Sequence, residues 1–244
     1  HGTITGVMGI SRDITQRRQA EEALSNVNKK LNLLSSITRH DILNQLTALA
    51  TYLDLSLDYT DNDTLRDFIG KEQKIAEIIN REISFTRDYQ DLGVRAPVWH
   101  HVNGTITSAL RSLIPGNVKV IADVPGMEVF ADALFEKVFF NLIDNALRYG
   151  GPNLSTVRFS AYNKGTALVI TCEDDGTGIP PEEKKRIFEQ GYGNHTGLGL
   201  FLSREILGIT GITIAETGTF GAGARFEITV PEGMYRLSGR DRTE

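Results

Sequence analysis

Several polar residues in the second half of the chain have types and spacings that suit nucleotide chemistry. Asn141 and Asn145 are four residues apart in a stretch that predicts a helix, and Arg148 follows three residues later. This spacing places all three side chains on one helix face. An amide oxygen can bind Mg²⁺ and a guanidinium can bind a phosphate. A solvated helix face is the alternative interpretation of this cluster taken alone.

A second cluster, Glu-Asp-Asp-Gly-Thr-Gly-Ile-Pro, directly follows an apolar strand pattern. Asp174 stands at the end of this predicted strand, with Gly176 and Gly178 after it. A carboxylate at such a position can accept a hydrogen bond from an adenine amino group, and glycines let the chain pass close to the base. An ordinary Asp-Gly turn would give the same residues.

A third cluster is rich in glycine and leads into a predicted helix. Its residues are Gly191, Gly193, Gly197, Leu198, Gly199 and Leu200. We expect a mobile loop here, followed by a helix N-terminus whose free N–H groups and positive dipole end favour phosphate. Neither the P-loop pattern nor the dinucleotide-binding glycine pattern is present, so another nucleotide fold is required.

The first half of the chain has one histidine in a setting that could be reactive. His40 lies inside a long helical pattern, next to Asp41 and one turn before Asn44. The apolar spacing changes between Leu34 and Ile42, which places His40 outside the apolar seam and facing outward. A lone helical histidine is usually a surface or core-edge residue, so His40 acquires a role only through the rest of the chain.

Composition limits the class of protein. The 244 residues are 40% hydrophobic and 23% charged, which is globular, and the net charge of −5 without basic runs argues against nucleic acid as a partner. The single cysteine, Cys172, fits a reducing compartment and burial. No stretch is long and apolar enough to span a membrane, so we expect a cytoplasmic protein. Because the sequence begins at His1 within a predicted strand, it resembles a fragment, and a membrane anchor elsewhere stays open.

These clusters need helices and strands that hold them in place. Two long helices joined by a turn at 60–63 predict an antiparallel hairpin, and two such hairpins predict a dimeric four-helix bundle. From residue 98 onward helices alternate with strands and hairpins, which predicts an α/β sandwich of helices on a mixed sheet. The fold class is therefore α+β. In the second part we predict helices over 131–149 and 181–188, and a polar, frayed tail from Glu232.

The order of the three clusters resembles the Bergerat ATP-binding fold shared by histidine kinases, Hsp90, gyrase and MutL. The resemblance implies ATP and Mg²⁺ as cofactors. Asn145 would bind the metal, with Asn141 as a possible second ligand, Arg148 would approach the phosphates, Tyr149 would flank the nucleotide and Asp174 would bind the adenine amino group. Gly176 and Gly178 would shape the base pocket, and Gly197, Leu198, Gly199 and Leu200 the phosphate end. Phe188, in Ile-Phe-Glu, matches the phenylalanine box of the histidine kinases and would steady the glycine-rich loop, which forms the lid of the site in that family.

Within that superfamily the chain resembles the sensor histidine kinases. The ATPases have a glutamate where this chain has Asn141, and an amide cannot act as a general base. His40-Asp41-x-x-Asn44 in a dimeric hairpin is similar to the phosphoacceptor motif of these kinases. His40 would be the nucleophile and Asp41 its base, and Asn44 would orient either the histidine or a hydrolytic water. Leu43 and Gln45 depart from the motif, which often has a basic residue and a proline there.

The predicted organisation follows from this resemblance. Residues 1–15 resemble the end of a PAS sensor domain, 16–38 a coiled-coil signalling helix, and 36–93 the dimerisation and phosphoacceptor hairpin. A linker over 94–97, the catalytic domain over 98–232 and a tail over 233–244 would follow. His100 and His101 are adjacent and lack metal-ligand spacing. His195 is interpreted as an exposed residue of the glycine-rich loop, with contact to phosphate as the alternative.

The expected activity is autophosphorylation of His40 by ATP, followed by transfer to an aspartate of a separate response regulator, with phosphatase activity in addition. The expected partners are a second copy, through residues 16–93, and the regulator's receiver domain. Two alternatives are an ATP-gated dimeric scaffold in which His40 is unused, and an ATPase of the same superfamily that forms no phosphohistidine.

Overall fold

The computed structural model describes residues 39–124, 126–192 and 197–237. The described residues divide after Ile69 into two compact units, each of which is treated separately below. The predicted PAS end and the coiled-coil seam over residues 16–38 lie outside the described residues.

The first unit contains helix α1, described over residues 39–58, and the start of helix α2, which spans Asp63–Asp91 in total. Asn62 caps α2, because its Oδ1 accepts hydrogen bonds from the backbone N–H groups of Thr64 (3.0 Å) and Leu65 (3.3 Å). The two helices and the short turn between them follow the predicted pattern. The antiparallel packing and the dimeric bundle stay predictions.

The second unit contains the rest of α2 and a layered α/β domain. In chain order its elements are β1 (Val98–His101), α3 (Val102–Arg111), β2 (Lys119–Asp123), β3 (Met127–Ala131), α4 (Phe135–Tyr149), β4 (Thr156–Lys164), β5 (Ala167–Asp174), a 3₁₀ turn (Arg186–Phe188), α5 (Gly199–Gly208), β6 (Thr213–Glu216), β7 (Arg225–Val230) and β8 (Tyr235–Leu237). The fold class predicted from the sequence, helices on a mixed sheet, is confirmed.

The main sheet has the strand order β2-β4-β5-β7-β6. The β2–β4 pair is parallel and the other pairs are antiparallel. Apolar side chains of β5 and β7, such as Ile170 and Ile228, lie opposite each other in the register and are completely buried. Strand β7 alternates buried and half-buried residues, as expected for a sheet with one face on the core. The buried face carries α4 and α5, and these position the site.

A second, three-stranded sheet has the order β1-β3-β8. Its strand β8 pairs antiparallel with β3, so that Tyr235 lies opposite Val129. The prediction of a frayed tail from Glu232 is therefore wrong for residues 235–237. The backbone N–H and C=O groups of an edge strand are best satisfied by another strand, and β3 offers a free edge there.

Two predicted helix boundaries are also wrong. Helix α4 begins at Phe135 rather than at Ala131, because Ala131 ends β3 and the Oδ1 of Asp132 accepts from the N–H of Leu134 at 2.8 Å. The predicted helix over residues 181–188 is reduced to the 3₁₀ turn.

Among the described residues, no helix is both long enough and apolar enough to cross a membrane.

Candidate functional site

One cavity of about 340 Å³ lies in the second unit, bordered by α2, α4, α5 and the end of β5. Its walls bring together all but two of the residues predicted to bind nucleotide: Asn141, Asn145, Arg148, Tyr149, Asp174, Gly178, Gly197, Leu198, Gly199 and Leu200. Gly176 and Phe188 are the two that do not line it. A cavity of this size with a few convergent polar groups is suited to a small polar ligand.

Helix α4 contributes the asparagine face. Asn141 is buried, and its Nδ2 donates to the carbonyl oxygen of Gly199 (2.9 Å) and to Oγ of Ser203 (3.1 Å). These bonds fix the amide of Asn141 and tie α4 to the first turn of α5. Asn145, one turn later, is half-buried and faces the cavity. The predicted common face is therefore present, with Asn141 in a structural hydrogen bond.

Arg148 ends this face and is paired along its own helix. Its Nε lies 2.8 Å from both carboxylate oxygens of Asp144. This hydrogen bond raises the pKa of Arg148, so the guanidinium is charged at any physiological pH. Next to it, Tyr149 lines the cavity and is about half exposed. Both residues line the cavity, and their predicted contacts with a nucleotide stay predictions.

Asp174 is the last residue of β5, and only one of its two carboxylate oxygens accepts hydrogen bonds from the described residues. Its Oδ1 accepts from the backbone N–H groups of Gly176 (3.0 Å) and Ala224 (3.1 Å). Its Oδ2 has no hydrogen bond within the described part of the chain. Burial raises the pKa of Asp174, the two backbone hydrogen bonds oppose that rise, and the charges of Asp175 and Glu216 add to it. The bonds to Oδ1 fix the carboxylate, and Oδ2 of Asp174 can accept a hydrogen bond from a donor in the cavity.

Asp175, the next residue, has a different task. It accepts hydrogen bonds from the N–H groups of Ser155 (2.8 Å) and Thr156 (2.9 Å) and from the hydroxyl of Ser155 (2.5 Å). These bonds, with the hydroxyl first, lower the pKa of Asp175 to about 2. Asp175 therefore fastens the end of β5 to the start of β4. Of these two adjacent aspartates, Asp174 lines the cavity and Asp175 holds two strands together.

The glycines that follow Asp174 permit close backbone contacts. A side chain on Gly176 would collide with the backbone of Gly150, with Cβ 2.5 Å from its carbonyl oxygen. The N–H of Thr177 donates to that same oxygen at 2.9 Å. Gly178 has a positive φ of 72° and packs against the carbonyl oxygen of Gly223. Gly176 thus acts behind the cavity wall, where it holds this loop against the end of α4.

The glycine-rich segment before α5 is described only at its two ends. Gly197 has a positive φ of 58°, and a Cβ on it would collide with the backbone of Tyr192. The two ends of the segment therefore meet closely. Gly199 begins α5 and packs against the side chain of Asn141. Residues 193–196 of the predicted loop, which include Gly193 and His195, lie outside the described residues.

Phe188 occupies the core. It is buried and packs edge-on against Phe226, with ring centroids 6.3 Å apart. The cavity wall at this position is formed by Ile187. Phe188 does not line the cavity, so its predicted effect on the glycine-rich segment stays a prediction and would act only through the residues that precede that segment.

Helix α2 supplies wall residues that the sequence did not point to. Arg81, Ser84, Phe85 and Asp88 line the cavity. Phe85 packs with Tyr89 (centroids 5.6 Å apart) and with Phe201 of α5 (6.4 Å). The sequence signal for this contact is the pair of aromatic residues at positions i and i+4 on α2, Phe85 and Tyr89. The sequence does not show which surface this pair covers, because that depends on tertiary packing.

Each cation of the wall is paired with a carboxylate. Lys137 lies 3.0 Å from the buried Asp88. Arg81 lies 3.4 Å from Glu77, and Arg148 is held by Asp144. A phosphate that binds in the cavity would therefore compete with a carboxylate for each of these three cations.

The histidine group belongs to the first unit. The side chain of His40 is 73% exposed, and its Nδ1 lies 3.3 Å from Oδ1 of Asp41 and 3.3 Å from Nδ2 of Asn44. A neutral imidazole satisfies one of these partners at a time. Protonated Nδ1 donates to Asp41, and unprotonated Nδ1 accepts from Asn44. The structure therefore brings all three predicted residues together.

The other described histidines have structural surroundings. His100 packs on Phe135, with ring centroids 5.4 Å apart, and His101 lies 3.3 Å from Glu128. Within the described ranges, no group of His, Cys, Asp and Glu side chains is arranged to hold a metal ion.

Comparison with known proteins agrees with this geometry. Residues 131–234 match the family described as histidine kinase-, DNA gyrase B-, and HSP90-like ATPase. The match covers α4, the β5 end and α5, which supply most of the cavity wall.

Two curated relatives extend the similarity over almost the whole chain. The aerobic respiration control sensor protein ArcB of Escherichia coli (strain K12) is 24% identical over 92% of this chain and 32% of its own length. Sporulation kinase C of Bacillus subtilis (strain 168) is 26% identical over 93% of this chain and 57% of its own length. The chain thus spans about a third to a little over half of these relatives.

Solved structures show the same fold. Full-length ShkA in complex with AMPPNP matches 85% of this chain and 46% of its own, with a TM-score of 0.60 and 17% identity. The mycobacterial sensor histidine kinase MprB matches 56% of this chain and 97% of its own, with a TM-score of 0.50 and 20% identity. The matched domain and the curated relatives thus make the chain similar to sensor histidine kinases, and the solved structures share its fold.

Proposed function

We propose that this chain is an ATP-dependent protein-histidine kinase that phosphorylates its own His40. The observation that carries the proposal is the cavity wall, where Asp174, Asn145 and Arg148 converge from separate positions in the sequence. Asp174 offers a hydrogen-bond acceptor for the adenine base, Asn145 an amide oxygen for a metal ion, and Arg148 a cation for phosphate. The exposed His40, with a carboxylate beside it, supplies an acceptor on the protein.

Two groups of the cavity wall can bind ATP: the carboxylate of Asp174 and the guanidinium of Arg148. Oδ2 of Asp174 accepts a hydrogen bond from the adenine amino group, while Oδ1 stays with the backbone. A guanine would present a carbonyl oxygen to this carboxylate, and the two acceptors would repel. Arg148 exchanges part of its bond with Asp144 for a bond with a phosphate oxygen, and this keeps the guanidinium satisfied in both states.

The residues present also fit a magnesium ion. Mg²⁺ binds oxygen ligands and usually takes one or two from the protein, the others coming from phosphates and water. Asn145 would supply the amide oxygen. Asn141 is the weaker candidate, because both donor bonds of its Nδ2 hold its amide against α5. Bound Mg²⁺ would neutralise phosphate charge.

The chemical step at His40 requires an unprotonated Nε2. Donation from Nδ1–H to Asp41 selects this tautomer. Nε2 forms a bond to the γ-phosphorus as the bond from that phosphorus to the bridging oxygen of ADP breaks, and the Nδ1 proton passes to Asp41. Asn44 can then donate to Nδ1. Asp41 is thus the base, and Asn44 stabilises the imidazole after proton loss.

A second copy and a receiver domain complete the proposed function. Large apolar side chains on α1 and α2 are exposed in the single chain: Ile42, Leu49, Tyr52, Leu55, Leu65, Phe68, Ile75 and Ile79. A homodimer through residues 16–93 would cover them. Transfer to an aspartate of a response regulator, and phosphatase activity, complete the cycle. ATP as the substrate and the buried, free thiol of Cys172 support a cytoplasmic location.

Incubation of the chain with γ-labelled ATP and Mg²⁺ tests this function. We expect label on the protein that is lost in acid and kept in alkali, absent from His40→Gln and present in His101→Gln, which removes another exposed histidine. Steady phosphate release without labelled protein would instead indicate an ATPase. Nucleotide binding without label or release would indicate a scaffold.

A further inference from the structure

A buried ion pair joins two segments behind the cavity. Nζ of Lys184 lies 2.6 Å from Oε2 of Glu216, the last residue of β6. The side chain of Glu216 is completely buried and that of Lys184 is 20% exposed. Nζ of Lys184 also donates to the carbonyl oxygen of Gly218 at 2.5 Å. A buried carboxylate is strongly unfavourable without a partner, so Lys184 balances the charge of Glu216.

Glu216 fixes both ends of the loop between β6 and β7. Its Oε1 accepts from the N–H of Gly218 (2.9 Å) and from the N–H of Arg225 (3.1 Å). Loop 217–224 is therefore closed around one carboxylate, and Lys184 ties that carboxylate to the segment before the 3₁₀ turn.

Loop 217–224 in turn supports Asp174. The N–H of Ala224 donates to Oδ1 of Asp174 at 3.1 Å, and the N–H of Asp174 donates to the carbonyl oxygen of Ala224 at 3.0 Å. The N–H of Gly221 donates to the carbonyl oxygen of Thr177 at 2.8 Å. The loop thus holds the residue that faces the base and the turn that follows it.

Lys184 reaches the cavity only through its neighbours. Glu183 and Ile187 line the cavity, whereas Lys184 and Glu216 do not. The ion pair therefore connects two parts of the same wall, one through Glu183 and Ile187, and the other through loop 217–224 and Asp174. Loss of the connection leaves the phosphate-facing residues of α4 untouched.

We propose that Lys184 and Glu216 are positioning residues that set the selectivity of the site for adenine over guanine. The inference rests on the proposed nucleotide-binding function and deepens it. The pair holds Asp174 where its free oxygen meets the amino group of the base. A carboxylate that is displaced or free to turn aside loses the bond to adenine and is less repelled by the guanine oxygen.

The test compares the binding of ADP and GDP to the full chain by calorimetry, with Lys184→Met, Lys184→Arg and the exposed neighbour Lys185→Met as a matched control. We expect Lys184→Met to lower the ADP affinity by about tenfold, the size of one lost hydrogen bond, and to lower the ratio of ADP to GDP affinity with it. Lys184→Arg keeps the charge and should retain most of the ratio. Lys185→Met should bind as the wild type does.

The double variant Lys184→Met with Glu216→Gln guards against misfolding, because it leaves no unpaired buried charge and the oxygen of the new amide still accepts from the loop. We expect wild-type thermal stability with a lowered ADP to GDP ratio. An unchanged ratio in the folded double variant, or an equal loss of ADP and GDP affinity, would overturn the inference while the proposed function stands. A wild-type chain that binds neither nucleotide would overturn both.

Discussion

Asn141 of α4 donates its side-chain N–H to the carbonyl oxygen of Gly199, 2.9 Å away at the first turn of α5. The bond joins the helix that carries the candidate metal ligand to the helix that follows the glycine-rich segment. An aspartate or glutamate at this position could not donate. The amide is thus required by the packing of α4 on α5, independently of its inability to act as a general base.

Asn141→Asp should destabilise the second unit. The carboxylate loses both donor bonds and faces the Gly199 carbonyl oxygen inside the protein, which costs about 1–3 kcal/mol. Ser203→Ala removes one acceptor of Asn141 and the donation of the Ser203 hydroxyl to the same Gly199 oxygen, but it keeps the bond from Asn141 to Gly199 and should cost less than Asn141→Asp. Denaturant unfolding at neutral pH measures both. If Asn141→Asp proved as stable as the wild type, the structural role of this bond would be wrong.

Arg148→Ala should weaken nucleotide binding with little effect on folding. A charge-assisted hydrogen bond to phosphate contributes about 1.5–3 kcal/mol, equivalent to about ten- to hundredfold in affinity. The exposed pair with Asp144 stabilises the helix by only about 0.5 kcal/mol or less. Asp144→Ala is the matched control, because it breaks the same pair and keeps the cation. Equal losses of ADP affinity in both variants would contradict a phosphate role for Arg148.

Asp174→Asn should abolish adenine selectivity while the fold persists. The asparagine oxygen still accepts from Gly176 and Ala224, but its amide N–H₂ then faces the adenine amino group, donor against donor. We expect about ten- to hundredfold weaker ADP binding. Because burial raises the pKa of Asp174, folding penalises its ionised form, and the neutral variant should be at least as stable at neutral pH.

The pH dependence of ADP binding gives an independent check on Asp174. Wild-type affinity should fall as the pH decreases through the raised pKa of this carboxyl, and Asp174→Asn should not show that transition. A wild-type titration that matches the variant's would exclude Asp174 as the group that binds the base.

Asp175→Asn should reduce stability in a pH-dependent way. The folded-state pKa of Asp175 is lowered to about 2, below its value in an unfolded chain, so its stabilisation is present above about pH 4 and is lost as the pH falls toward 2. The melting temperatures of wild type and variant should therefore differ at pH 6 and converge toward pH 2. A constant difference across this range would argue against the hydrogen bonds to Ser155 and Thr156 as the cause.

Local patterns were sufficient to predict most of the polar and glycine residues that line the cavity. Asn145, Asp174 and Gly199 each follow from a helix spacing, a strand end or a helix start, and these features depend on nearby sequence. The different tasks of Asp174 and Asp175 could not be predicted, because the choice depends on which of them meets the N–H groups of Ser155 and Thr156.

Tertiary pairings account for the rest of what the sequence did not predict. The pairing of Lys184 with Glu216 unites a loop and a strand end that no periodicity connects. The same holds for strand β8, whose three residues have no strong strand pattern and pair because β3 has an open edge. The contribution of Phe85 to the cavity depends on a partner, Phe201, from a distant helix.

The most direct measurement is the position of the phosphoryl group after reaction with ATP and Mg²⁺. Trypsin cleavage after Arg39 and Arg66 releases residues 40–66, in which His40 is the single histidine. Mass spectrometry at alkaline pH, where a phosphohistidine survives, should find the phosphoryl group on this peptide and assign it to His40. Asp41→Asn should slow its appearance, because Nδ1 loses the acceptor of its proton. A phosphoryl group on any other residue, or an unmodified peptide from a chain that has turned over ATP, would contradict the account.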